Sequence, residues 1–334
     1  MFGEAGAKIF ARGSASLGFD EEMWSAVEEA EFCRLLVSEN DGGAGDAFAE
    51  ATALCRSLGQ HAAVIPLVET LVSNWCLSKA GIPVSAGPKG FVVADHISLC
   101  SSGSQLRVEA ITQVPWAGLA GGVVFLLPNA GRGAAICHAE IPSGPGAART
   151  LAGYPVATLI PGDTVDIREM GPFREHRSGL ALAALLKAGA MAGAMQTILE
   201  MSIDYANTRK QFGRTIGSYQ AIQHMVVRIA SETAAVDVAV EHGVATFPEN
   251  PVWGASLAKG RASEAAGHIS GAAHQLHGAI GYTHEFSLHR FTRCLWTWRE
   301  EYGNENAWYG RIGDAALSSE GQVWSRLSSI GLLL

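Results

Sequence analysis

The run from Gly179 to Leu199 is rich in alanine and leucine and holds a single charge, Lys187. A helix that is apolar on every side has to be buried in a protein core or a membrane. Lys187 and Gln196 interrupt the run and small residues dominate it, which favours a helix packed among other helices over one facing lipid. The rest of the chain must therefore supply a jacket for it. Residues 116–127 are also apolar, but they are bounded by Pro115 and Pro128 and are too short to cross a bilayer.

The long run leads into residues 205–223, where Arg209, Lys210 and Arg214 gather around Gly213 before Ser218 opens a second helical pattern. Guanidinium groups fork onto phosphate oxygens and a helix N-terminus offers unpaired N–H groups, so this junction suits an anion. Basic residues in a last turn also simply complement a helix dipole. A second break comes at residues 275–285, where Gly278 and Gly281 interrupt another helical pattern. Glycines there either end the helix or let the backbone approach a ligand closely.

With 334 residues, the chain is long enough for two or three packed units. A net charge of -8 argues against a nucleic-acid partner, which needs a basic face. The six cysteines are scattered with no C-x-x-C pair, a spacing that fits buried thiols in a reducing cytoplasm better than zinc or a disulfide framework. Near the N-terminus there is neither the basic start nor the apolar run of a secretion signal. His274 and His277 have the i, i+3 spacing of a ligand pair, but no acidic third ligand lies beside them, so no metal is expected.

Hydropathy periods divide the chain into three parts, giving an α+β class with mostly α content. Residues 1–82 read as an N-terminal helical domain, with Asp20 placed to open a helix and Leu67, Leu71 and Trp75 on another after Pro66. Residues 83–172 are broken by prolines into short strands such as Gly90 to Val93, Leu106 to Ile111 and Gly122 to Leu127, a small β domain. Residues 173–334 return to helix and suggest an antiparallel four-helix bundle.

Together, the two glycine-marked breaks resemble the acyl-CoA dehydrogenase family of flavoproteins. The family's Arg-x-x-Phe-Gly turn stands here as Arg209, Phe212 and Gly213, followed by Gln220. Its Gln-x-x-Gly-Gly-x-Gly segment stands as Gln275, Gly278, Ala279 and Gly281, with alanine in place of the second glycine. The resemblance implies that Arg209, Gln211, Phe212, Gln220, Gln275, Gly278, Ala279 and Gly281 hold the ADP half of an FAD bound mainly to a neighbouring subunit, with Arg209 on the pyrophosphate. It implies oxidation of an acyl-CoA to its enoyl-CoA, with electrons passed to an electron-transfer flavoprotein.

The family's base is a glutamate directly before Gly-Thr. Counting from Arg293 puts Tyr302 at that position, and a shift of one residue puts Glu301 there. Glu301 is the candidate base, although Glu300, Glu301 and Glu305 with Arg299 also read as a solvated helix face. No acid stands near Ala183, where other members carry theirs.

The β region departs from the family. Between Ala80 and Val92 there is no room for the Gly-Ser-Asp loop, and Trp116 is followed by Ala-Gly-Leu, which offers no hydroxyl to a flavin. The chain's own flavin cradle therefore reads as truncated. Three assemblies follow: a homo-oligomer that catalyses alone, one half of a heteromer of the kind seen among bacterial sterol-degrading relatives, or a scaffold that has lost flavin.

Overall fold

The computed structural model describes residues 2–11, 19–100, 102–119, 121–128, 134–141 and 148–317. Four helices come first: α1 (Phe2–Phe10), α2 (Glu21–Glu29), α3 (Phe48–Gln60) and α4 (Leu67–Lys79). The Asp20 carboxylate accepts the Met23 N–H at 2.9 Å, so α2 starts where the capping residue demands. The sequence pattern did not announce α1, which packs on α3 and sinks Phe10 completely.

Nine strands follow: β1 (Gly90–Val93), β2 (Ile97–Leu99), β3 (Gln105–Val108), β4 (Thr112–Pro115), β5 (Val123–Leu127), β6 (Ala135–Ala139), β7 (Ala148–Arg149), β8 (Pro155–Leu159) and β9 (Thr164–Pro172). One six-stranded sheet runs β1-β5-β6-β9-β3-β2, antiparallel except for the parallel β1–β5 pair. A three-stranded sheet, β4-β8-β7, packs beside it. Val108, Val114, Phe125 and Leu159 share the apolar core of these strands. β1 spans the expected residues; β3 is shorter than the apolar run suggested, since its pairing with β9 ends before Ile111, which is exposed.

The apolar run forms α5 (His176–Thr208). By length and composition its Arg177–Thr208 stretch could cross a membrane, but 89% of its most apolar window is buried inside the protein. After the hairpin of β10 (Lys210–Gln211) and β11 (Arg214–Thr215) come α6 (Gln220–Thr246), α7 (Pro251–His277), α8 (Leu288–Glu300) and α9 (Glu305–Leu317). Among the described residues the C-terminal part is thus three long helices with two shorter ones docked on them. α6 begins at Gln220 because the Ser218 hydroxyl donates back to Thr215 O at 2.7 Å within a 3-10 turn instead of capping a helix.

Glycines let α3 and α5 approach to backbone contact. A Cβ at Gly59 would stand 1.8 Å from Ala190 O, and one at Gly193 would stand 1.9 Å from Arg56 O. No side chain fits there, so the jacket around α5 is tight on that side.

Candidate functional site

Lys187 sits midway along α5 and is 3% exposed. A buried ammonium needs carboxylates or other hydrogen-bond acceptors as partners. It finds two, from distant parts of the chain. Glu69 on α4 lies 2.7 Å away through Oε1, and Glu301, just past α8, lies 2.9 Å away through Oε2. The Glu301 approach is an ion pair off the hydrogen-bond line. Its other oxygen accepts the Tyr154 hydroxyl.

Tyr154 is placed by the loop that leads into β8. The Ala152 N–H donates to Thr297 Oγ1 at 3.0 Å, and Arg293 Nε donates to Leu151 O, so the loop is docked along α8. The Tyr154 ring stacks on Trp116 at 4.4 Å and 12°. Between this stack, Glu69 and Lys187 only about 10 Å³ of void remains, room for one water at most.

Burial and charge act in opposite directions within the cluster. Burial pushes the Glu69 carboxyl up, Lys187 pulls it back, and Glu301 adds to the rise. Burial also opposes charge on Lys187, but the two carboxylates outweigh it and hold the ammonium above the usual lysine value. Burial, with Glu301 and Glu69 behind it, keeps the Tyr154 phenol protonated far past its ordinary range. Burial and Glu69 do the same for Tyr302.

Glu301 and Tyr302 also face a cavity of about 770 Å³ between β1, β4 and the α8–α9 junction. Phe91, Val156, Leu180 and Trp296 give it apolar walls, while Arg149, Glu300 and Arg311 add charge. Trp116 is 2% exposed and turns into the core, where it lines the small void. Glu300 and Glu305 stay with Arg299 as a surface group, whereas Glu301 turns inward.

The residues of the two glycine-marked breaks lie away from this cluster. Arg209 ends α5 in extended backbone and is exposed. The β10–β11 hairpin turns through Phe212 (φ 51) and Gly213 (φ 82), and Phe212 is 92% exposed at its tip. Gln211 and Gln220 are exposed. At the end of α7, Gln275 is exposed and Gly278 is left-handed at φ 63, a conformation that favours glycine. Ala279 is exposed and free of that demand, so a methyl group is tolerated there. Gly281 is buried against His277.

Tyr205, one turn before Arg209, stacks on His277, just after Gln275, at 4.6 Å. The ends of α5 and α7, and with them both breaks, therefore share one end of the helical region. His274 stacks on Tyr282 at 4.5 Å. Among the described residues no group of three His, Cys, Asp or Glu could hold a metal ion. All six cysteines are free thiols.

Residues 173–316 match the acyl-CoA dehydrogenase C-terminal domain. The chain carries an acyl-CoA dehydrogenase C-terminal domain. That domain belongs to a family of flavoprotein oxidoreductases of lipid metabolism. Acyl-CoA dehydrogenase IpdE2 of Mycobacterium tuberculosis is 27% identical over 290 residues, covering 85% of this chain and 83% of that one. The same fold occurs in the ChsE4-ChsE5 complex of Mycobacterium tuberculosis, with a TM-score of 0.81 and 21% identity over 95% of this chain and 96% of that one. It occurs also in butyryl-CoA dehydrogenase of Megasphaera elsdenii, with a TM-score of 0.73 and 16% identity over 95% and 97% of the two chains.

Sequence reasoning singled out Glu301 as a candidate base and gave no sign of its pairing with Lys187, nor of Glu69 and Tyr154 beside it. Lys187 was the available signal, because a lone lysine in an all-apolar helix calls for buried acceptors from elsewhere in the chain.

Proposed function

We propose that this chain works in FAD-dependent α,β-dehydrogenation of an acyl-CoA thioester, as one subunit of a heteromeric acyl-CoA dehydrogenase. In that assembly it holds the ADP half of an FAD whose ring is cradled by a homologous partner. Electrons leave to an electron-transfer flavoprotein, and the reaction is assigned to the cytoplasm. The observation that carries the reading is the pairing of exposed Arg209 and Phe212 with exposed Gln275 and left-handed Gly278 at one end of the helical region, beside a Glu301 that is engaged by Lys187.

The ADP end fits these residues. Arg209 has a free guanidinium to fork onto a pyrophosphate, the Gln220 and Gln275 amides can both donate and accept, and Gly278 leaves the backbone bare. The chain's own ring cradle does not fit as well, since Trp116 stacks on Tyr154 and buried Ala117 after it brings no hydroxyl. When bound, FAD supplies the hydride acceptor for the β-carbon.

A base must take the α-proton, which requires a carboxylate free to approach it. Glu301 meets that need poorly while Lys187 and Tyr154 occupy its oxygens. The base is accordingly assigned to the partner, and Glu301 to holding Lys187. The family resemblance of this chain to IpdE2, and of its fold to a two-component complex, supports the same reading.

The test is the visible spectrum of the purified chain, alone and co-expressed with a homologous neighbour. Flavin absorption only in the co-purified complex supports the heteromer. A yellow chain that turns over acyl-CoA by itself and loses that activity in Glu301→Gln restores the self-sufficient homo-oligomer. A colourless protein in both cases leaves only a scaffold.

A further inference from the structure

A second buried lysine, Lys259 on α7, is fully enclosed. Its ammonium donates to Arg299 O at 2.8 Å, Gly303 O at 2.7 Å and Ser263 Oγ at 3.0 Å. Arg299 lies in the last turn of α8 and Gly303 just precedes α9, so one side chain spans both ends of the Glu300–Gly303 turn. That turn carries Glu301 and Tyr302, the residues shared by the buried cluster and the cavity.

The turn is not one that the chain would adopt unaided. Tyr302 is left-handed at φ 56 and Gly303 at φ 90. A tyrosine in that region costs free energy and persists only where its surroundings over-determine it. From the far side the Trp308 indole N–H donates to Tyr302 O at 2.9 Å. On the near side the hold is Lys259, which meets the C-terminal end of α8, where helix carbonyls are unpaired and a cation is favoured.

We infer that Lys259 is a positioning residue, whose three hydrogen bonds hold the Glu300–Gly303 turn so that Glu301 reaches Lys187 and Tyr302 faces Glu69. The two buried lysines divide the work. Lys187 engages the turn through the Glu301 side chain, and Lys259 engages it through backbone carbonyls. Three N–H groups match three acceptors. A neutral amine would still serve both carbonyls and accept from the Ser263 hydroxyl, so the hold survives loss of the proton. Burial, outweighing the Glu301 carboxylate and those of Glu300 and Glu305 and aided by the Lys187 charge, brings Lys259 down to about 7. None of this depends on where a flavin binds.

Hydrogen exchange of the full chain tests the inference. In Lys259→Met, amides of residues 300–304 should exchange about tenfold faster or more, while those of α5 and the six-stranded sheet stay within about twofold of the wild type. Lys259→Gln keeps two N–H donors and should protect the same amides about threefold better than the methionine variant. Unchanged exchange at 300–304 overturns the inference, and so does equal exchange in the two variants, which would leave Lys259 a purely steric part. Should the methionine variant fail to fold, the glutamine variant is compared with the wild type. A rise confined to 300–304 upholds the inference, and a uniform rise over the chain overturns it.

Discussion

The Lys187 ammonium stands 2.9 Å from Glu301, joining the long apolar helix α5 to the turn that lines the cavity. With Glu69 it ties together three segments that are far apart in the chain. Lys187→Met would strand two buried carboxylates, so urea denaturation should show a loss of about 3–5 kcal/mol. Adding Glu69→Gln to that variant should return about 1 kcal/mol or more, because one stranded charge is removed. Independent, additive effects in this pair would refute the coupling.

Tyr154→Phe removes one donor to Glu301 and leaves the ring to stack on Trp116. The expected cost is about 1–3 kcal/mol in the same assay, the penalty of an acceptor left without its donor. Near-UV circular dichroism should keep its aromatic signature if the stack survives.

Acid should unfold the protein partly through His274 and His277. Burial lowers both imidazoles, with His277 adding to the effect on His274. The unfolded chain takes up these protons first, near the ordinary value of about 6.5. Their contribution is therefore complete above about pH 6.5 and is lost as pH falls below it. Melting temperature measured from pH 8 to pH 5 should fall less steeply in a His274→Gln, His277→Gln double variant than in the wild type.

Arg209 is exposed at the end of α5, so Arg209→Ala should leave the melting temperature of the isolated chain unchanged. In the assembled complex the same change should weaken flavin retention by about tenfold to a hundredfold, the loss of a forked charge-assisted contact. Flavin release followed by absorbance during gel filtration gives the readout. Arg209→Lys should restore only part of it, since an ammonium cannot fork.

Gly193→Ala would force a methyl group to within 1.9 Å of Arg56 O, where backbone rather than a flexible side chain must yield. A destabilisation of about 3 kcal/mol is expected from thermal or urea unfolding. Gly271→Ala, on the neighbouring helix with open space around the site, is the matched control and should cost far less.

Local signals carried much of the architecture. Asp20 marks the start of α2, Pro66 the start of α4, and the run from Gly179 the buried spine, because caps, prolines and apolar periods act within a few residues. The paired breaks at Arg209 and Gln275 were legible as motifs and come together through Tyr205 and His277, a contact across α5 and α7 that no local pattern announces. The Glu69–Lys187–Glu301 cluster was legible only in pieces. Lys187 stood out in an apolar helix and Glu301 as a candidate base, but Glu69 reads as an ordinary helix-start acid, and only the fold makes the three neighbours.

The glycine contact between α3 and α5 has a bearing on which parts of the protein move together. Two backbones seated directly on one another have no side-chain cushion to slide across, so the N-terminal helices and the spine move as one piece. The Leu151–Tyr154 segment beside the cavity is joined to α8 in another way, by an Arg293 side chain and a Thr297 hydroxyl.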